Sequence, residues 1–262
     1  MSGATTQGFM EVDGARLEWR RIPATKSGSP ELVFLHEGLG CIAIWKDFPD
    51  RVAAATGCGA LIYTRRGYGG SSPIVPPRPL RYMHDEALET LPKVLTHFDL
   101  KNVVLVGHSD GGSISIIHAG SGAADRIIGF VALAPHVFNE DLCVDGIRRT
   151  TEVFRTTDLR ARLARLHGDN VDGAFWGWSD TWLSPAFYHW NIQEYLPGIR
   201  VPALVIQGRD DEYGSARQYE TIAAESGGPV ELLILDNCGH SPHRDRPDEV
   251  AGAIARFIAS LA

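Results

Sequence analysis

The sequence predicts an α/β fold, a mostly parallel sheet with helices on both faces. Three observations carry that prediction. Short apolar runs at 32–35, 60–63, 103–106, 127–133, 203–207 and 230–235 alternate with stretches of helical periodicity, the rhythm of strands buried on both faces. One run, Val103-Val104-Leu105-Val106, leads straight into Gly107-His108-Ser109-Asp110-Gly111-Gly112 and then a small-residue helical pattern to about 119. Finally, His36, Ser109 and Pro135 all fall just past the ends of such runs, on the edge where open parallel sheets bind ligands.

The chain begins with a hairpin pattern, 8–12 and 16–21 around Asp13-Gly14, a favoured two-residue turn. The run at 32–35 ends in His36-Glu37-Gly38-Leu39-Gly40, and helical periodicity follows over 44–55. The run at 60–63 leads to Arg66-Gly67-Tyr68-Gly69-Gly70-Ser71, then a stiff proline-rich stretch over 73–79 and a helix over 83–98. From 136 to 200 the rhythm breaks: one or two amphipathic helices over 148–166 precede an aromatic cluster that includes Trp176, Trp178, Trp182 and Trp190. This middle section reads as a helical lid (136–200) inserted into an α/β body (1–135 and 201–262), its aromatics walling an apolar pocket. A helix over 247–261 closes the chain.

Bulk properties exclude several function classes. With 262 residues the chain can bury one large core, and a formal net charge of −7 with no basic run argues against nucleic acid or an anionic membrane as the main partner. Residues 1–8 carry no apolar signal pattern, and no apolar run is long enough to span a bilayer. Cys41, Cys58, Cys143 and Cys238 are scattered, without metal or redox spacing, and read as free thiols in a reducing cytoplasm. No cofactor or metal is implied, and the expected partner is a small-molecule substrate. The oligomeric state is not legible.

Serine is a poor nucleophile until a sharp strand-to-helix turn exposes its Oγ and a base takes its proton. That turn crowds neighbouring Cα atoms, which is why Gly107 and Gly111 flank Ser109. Of the 10 histidines, His240 stands out in a loop just past the last apolar run, with His243 as its rival, read as lying on the outer side of that loop. The acid that orients the base is expected after 203–207, where Asp210, Asp211 and Glu212 stand together. Two amides should hold a developing oxyanion: that of Asp110, after the nucleophile, and that of Gly38 in the glycine-rich loop.

Together these motifs resemble the α/β-hydrolase superfamily over nearly the whole chain. The resemblance rests on His36-x-Gly38-x-Gly40, Arg66-Gly67-x-Gly69-x-Ser71, Gly107-His108-Ser109-Asp110-Gly111-Gly112, Gly208-x-x-Asp211 and Gly239-His240. It implies an eight-stranded sheet and a lid between the sixth and seventh strands. It also singles out Asp211 over Asp210, because the family's acid usually sits three residues past that glycine. One departure stands out: the family usually has His-Gly where this chain has His36-Glu37. A carboxylate there would repel an oxyanion unless it turned aside to a neighbouring backbone or basic group.

The expected activity is hydrolysis of a carboxylic ester or related acyl bond of a small apolar or aromatic substrate, with His36, Glu37, Trp176, Trp178, Trp182 and Trp190 near the pocket. Relatives with the same three residues cleave C–C bonds of ring-fission products or lactones, and others are ligand receptors with slow turnover. Dehalogenases and epoxide hydrolases of this fold use an aspartate nucleophile, so Ser109 argues against both.

Overall fold

The computed structural model describes residues 4–122 and 124–261. Its strands are β1 (Thr6–Val12), β2 (Ala15–Ile22), β3 (Glu31–Leu35), β4 (Gly59–Tyr63), β5 (Val103–His108), β6 (Ile127–Leu133), β7 (Ala203–Gly208) and β8 (Val230–Leu235). They form one eight-stranded sheet in the order β1-β2-β4-β3-β5-β6-β7-β8. Only the pairs β1–β2 and β2–β4 are antiparallel; every other neighbour is parallel. Asp13 (φ 51) and Gly14 (φ 72) make the tight turn between β1 and β2, both left-handed as a turn matched to strand twist requires.

Strand β5 shows why the sheet is buried on both sides. Val103 and Leu105 join one apolar cluster, Val104 and Val106 the other, because successive side chains alternate faces. The helices Phe48–Thr56 and Pro247–Ser260 cover one face through Phe48, Val52, Ile254 and Phe257. Asp110–Gly120 and Ala216–Glu225 help cover the other through Ile114, Ile117 and Ile222.

Two expected helices differ in detail. The pattern over 44–55 divides into a 3-10 turn, Ile42–Trp45, and the helix Phe48–Thr56. Lys46, at φ 52, breaks the path between them. The stretch over 83–98 runs from Tyr82 to His97 but widens to a π-helix at Glu86–Thr90. Pro92 explains the widening, since its ring cannot donate to, and would crowd, the carbonyl one turn back.

Between β6 and β7 lie the helices Asp141–Thr156, Leu159–His167 and Val171–Leu183. Glu140, just before the first, accepts from Ser215 N and Oγ at 2.9 and 2.7 Å and from Gln218 Nε2 at 2.7 Å, which ties this insertion to the sheet body. Arg148, Arg160 and Arg162 make exposed ion pairs with Asp145, Asp172 and Asp158. All four cysteines are buried free thiols. Among the described residues no helix is long and apolar enough to cross a membrane.

Candidate active site

Ser109 sits at the end of β5 with φ 51 and ψ −116, a strained conformation that costs a non-glycine residue on the order of 1–3 kcal/mol. The turn is held by close packing. A Cβ at Gly107 would strike the carbonyl of Gly111, and one at Gly111 would strike the carbonyl of Leu35. The helix Asp110–Gly120 starts immediately after Ser109, so its first amides, which have no partner within the helix, follow the serine directly.

Three residues far apart in sequence meet here. Ser109 Oγ is 3.0 Å from His240 Nε2. His240 Nδ1 lies 2.9 Å from both Oδ1 and Oδ2 of Asp211. The carboxylate fixes the tautomer: Nδ1–H donates to Asp211, so the Nε2 lone pair faces the serine proton. Asp211 also accepts from Gln207 Nε2 at 2.5 Å and from the amides of Tyr213 and Gly214 at 2.8 and 3.1 Å. Burial raises the Asp211 pKa, but the nearby His240 and the Tyr213 amide outweigh it and hold the carboxyl below its ordinary value. For His240, burial lowers the pKa, while Asp211 beside it raises it more, leaving a net upward shift. Asp210 is exposed and Asp211 buried, so only Asp211 reaches the imidazole.

A cavity of about 270 Å³ opens over these groups, lined by Gly38, Leu39, Ile147, Leu163, Trp178 and Trp182 together with Ser109 and His240. Gly38 must be glycine, because a Cβ there would run into the indole of Trp178. Trp178 and Trp182 share one helix face at i, i+4 spacing and both reach the cavity.

Two expected pocket tryptophans do not line it. Trp176 is two residues off that helical face and packs edge-on against Phe154 and Phe175. Trp190 stacks on Phe187 at 5.3 Å behind the wall. His36 is not at the pocket either: it is fully buried, and its Nε2 accepts from the Arg65 amide at 3.0 Å. His243 is not on the outer side of its loop; it is 3% exposed, its ring 4.9 Å from Trp45 and 4.7 Å from His108. An imidazole kept neutral by burial packs as an aromatic there.

Glu37 lines the cavity together with Ser109, as expected, and its carboxylate lies beside His108. Its Oε2 is 3.5 Å from Nδ1 of His108, long for a hydrogen bond. Burial opposes ionisation of Glu37, but His108, His243 and His36 around it hold the carboxyl well below the usual range.

Several residues around His240 were not assigned a place at the site by the sequence. His108 Nε2 donates to the His240 carbonyl at 2.7 Å, His136 packs 5.6 Å from the His240 ring, and Tyr213 packs 4.8 Å from it. Burial, with His240 and His108 adding to it, pushes His136 down to about 3. Arg65 donates to the carbonyls of His36 and Glu37, and Tyr82 Oη donates to Asp110 Oδ2. Among the described residues no group of three or more His, Cys, Asp or Glu is placed to hold a metal ion.

A parallel sheet with a strained serine at the end of its fifth strand, and an imidazole and carboxylate in line with it, defines the α/β-hydrolase class of protein. The family model described as "Alpha/beta hydrolase family" matches residues 32–253, and the chain belongs to that family, a hydrolase by class. It is 22% identical to Epoxide hydrolase A of Mycobacterium tuberculosis, over 99% of both chains. It is 32% identical to a proline iminopeptidase of Lactobacillus helveticus, over 91% of this chain and 92% of the relative. The esterase EaEST from Exiguobacterium antarcticum superposes with a TM-score of 0.74 at 18% identity, over 97% of this chain and all of that one (100%).

Proposed function

We propose that the protein hydrolyses a carboxylic ester, or a closely related acyl bond, of a small apolar or aromatic substrate. Ser109 Oγ attacks the carbonyl carbon while His240 Nε2 takes its proton. The carbonyl oxygen becomes an oxyanion held by the amides of Gly38 and Asp110. His240 then protonates the leaving group, and the acyl group stays on Ser109. A water molecule, deprotonated by His240, releases the acid and regenerates the hydroxyl. Asp211 steadies the imidazolium in both halves. The helices of 136–200 serve as the lid, and the mostly apolar cavity beneath them favours a short acyl group.

The observation that carries this reading is the continuous line from Asp211 through His240 to Ser109, at 2.9 and 3.0 Å, on the floor of the cavity. The hydroxyl at the elbow weighs against an epoxide hydrolase, despite that relative, since members of that kind carry aspartate there.

The test is labelling with a fluorophosphonate, followed by turnover of p-nitrophenyl esters of increasing acyl length. Label on Ser109, fast turnover of the short esters and loss of both in Ser109→Ala are expected. Unlabelled wild-type protein, or unchanged turnover in Ser109→Ala, would remove the reading. Tight ligand binding without multiple turnover would point instead to a receptor.

A further inference from the structure

The residue after the nucleophile is a carboxylate, and it is 1% exposed. A negative charge beside a forming oxyanion works against the chemistry unless it is balanced. The balance comes from Arg65, at the end of β4, which is 2% exposed. Its Nη1 lies 3.7 Å from Asp110 Oδ2. Tyr82 Oη donates to the same Oδ2 at 2.7 Å, and Trp182 Nε1, from the cavity wall, donates to Tyr82 Oη at 3.0 Å.

The other side of Arg65 grips the oxyanion loop. Nη2 donates to the carbonyl of His36 at 3.0 Å and to that of Glu37 at 2.8 Å. The Glu37 carbonyl and the Gly38 N–H belong to one peptide unit. In a trans peptide these two groups point to opposite sides of the plane. A guanidinium pulling on the carbonyl from behind therefore turns the Gly38 N–H forward. The Glu37 carbonyl also accepts from Gly40 N at 3.0 Å and from His36 Nδ1 at 2.7 Å, so the plane is anchored three times.

We infer that Arg65 is a positioning residue for the oxyanion hole: with Asp110 it forms one buried ion pair behind both oxyanion donors, and Tyr82 and Trp182 connect that pair to the cavity wall. The inference rests on the hydrolase reading above. The guanidinium orients the Gly38 donor, and its charge offsets the carboxylate attached to the Asp110 donor. Lysine cannot do both, because one ammonium has no planar fork to span two carbonyls and a carboxylate.

The experiment compares wild type with Arg65→Lys and Tyr82→Phe, each confirmed folded by circular dichroism and thermal melting. Three quantities are read: kcat and KM on p-nitrophenyl acetate, and the affinity of phenylboronic acid, whose tetrahedral adduct on Ser109 places an oxygen in the oxyanion hole. Arg65→Lys should lower kcat about 10- to 100-fold, below the loss of roughly 100- to 1,000-fold typical for deleting a donor outright. KM should stay nearly unchanged, and boronate affinity should fall by the same factor as kcat. Tyr82→Phe should move the same two quantities in the same direction by less, and it decides the matter alone if Arg65→Lys does not fold. A merely structural arginine would melt earlier but leave kcat and boronate affinity of the folded protein intact. Folded variants within twofold of wild type in both would overturn the inference. Fluorophosphonate labelling of wild-type Ser109 separates the two failures: without label the hydrolase reading falls and this inference with it, whereas label with unaffected variants removes this inference alone.

Discussion

The carboxylate of Glu37 lies 3.5 Å from Nδ1 of His108, and Nε2 of that same ring donates at 2.7 Å to the carbonyl of His240. The acidic residue that departs from the family pattern therefore lies beside a second histidine. Its charge still reaches the active imidazole and is one of the groups raising the His240 pKa. His240 must be neutral to accept the serine proton, so kcat/KM should fall as pH drops through a value above 6.5, its ordinary pKa. Glu37→Gln should move that acid limb to lower pH. A pH–rate profile on p-nitrophenyl acetate checks this, and an unmoved limb would mean that Glu37 does not act on His240.

Asp211 and Asp210 are neighbours with opposite surroundings, and substitution should separate them. Asp211→Asn keeps the shape but can present its amide to Nδ1, which favours the wrong tautomer and should lower kcat by roughly 1,000- to 10,000-fold. Asp210→Asn, at an exposed position, should leave kcat within about twofold, as surface changes away from a site usually do. Equal losses would show that the two aspartates share the role.

How much of this was legible beforehand depended on whether the signal was local. β6 and β8 are mostly apolar runs between loops, and their bounds are those the pattern predicts. Ser109 is announced by its glycines, and Asp211 and His240 by their place just past β7 and β8. Arg65 and Tyr82 were missed because their partners come from other elements. The one available hint was an arginine pair ending a buried strand, which reads equally well as a solvated turn. The tryptophans were legible as a cluster but not as a wall. Which of them face the cavity depends on helix phase, and with a helix starting at Val171 the phase selects Trp178 and Trp182 over Trp176.

Gly38 and the Trp178 indole are in such close contact that the loop 36–40 and the helix Val171–Leu183 share one fit. Gly38→Ala should push the indole away, and both activity and melting temperature should drop. Adding Trp178→Leu should recover part of the melting temperature, so the two changes will not be additive. A double-mutant cycle by thermal melting measures this. Strict additivity would mean that the loop and helix do not press on each other in solution.

Buried histidines set the acid limit of stability. Burial holds His36, His136 and His243 below the ordinary value of 6.5, His136 at about 3. On unfolding each regains an ordinary pKa, so below about 6.5 the unfolded chain binds protons that the native chain refuses. Stability therefore falls as pH drops below 6.5 and stops falling, for each group, once its native pKa is passed. His240 has the opposite sign. Its raised native pKa contributes stability that is complete below 6.5 and lost as pH rises through the raised value. Burial lowers His84, His118 and His167 in the same way, so six groups against one leave a net acid destabilisation. His243 isolates the effect, because neither ring nitrogen has a hydrogen-bond partner among the described residues and the ring packs on Trp45 and Phe48. His243→Phe should keep that packing and remove one refused proton. Urea unfolding between pH 7 and pH 5 should then show a shallower loss, by at most about 1.4 kcal/mol per pH unit. An unchanged slope would mean that His243 takes up its proton in the native state as readily as in the unfolded one.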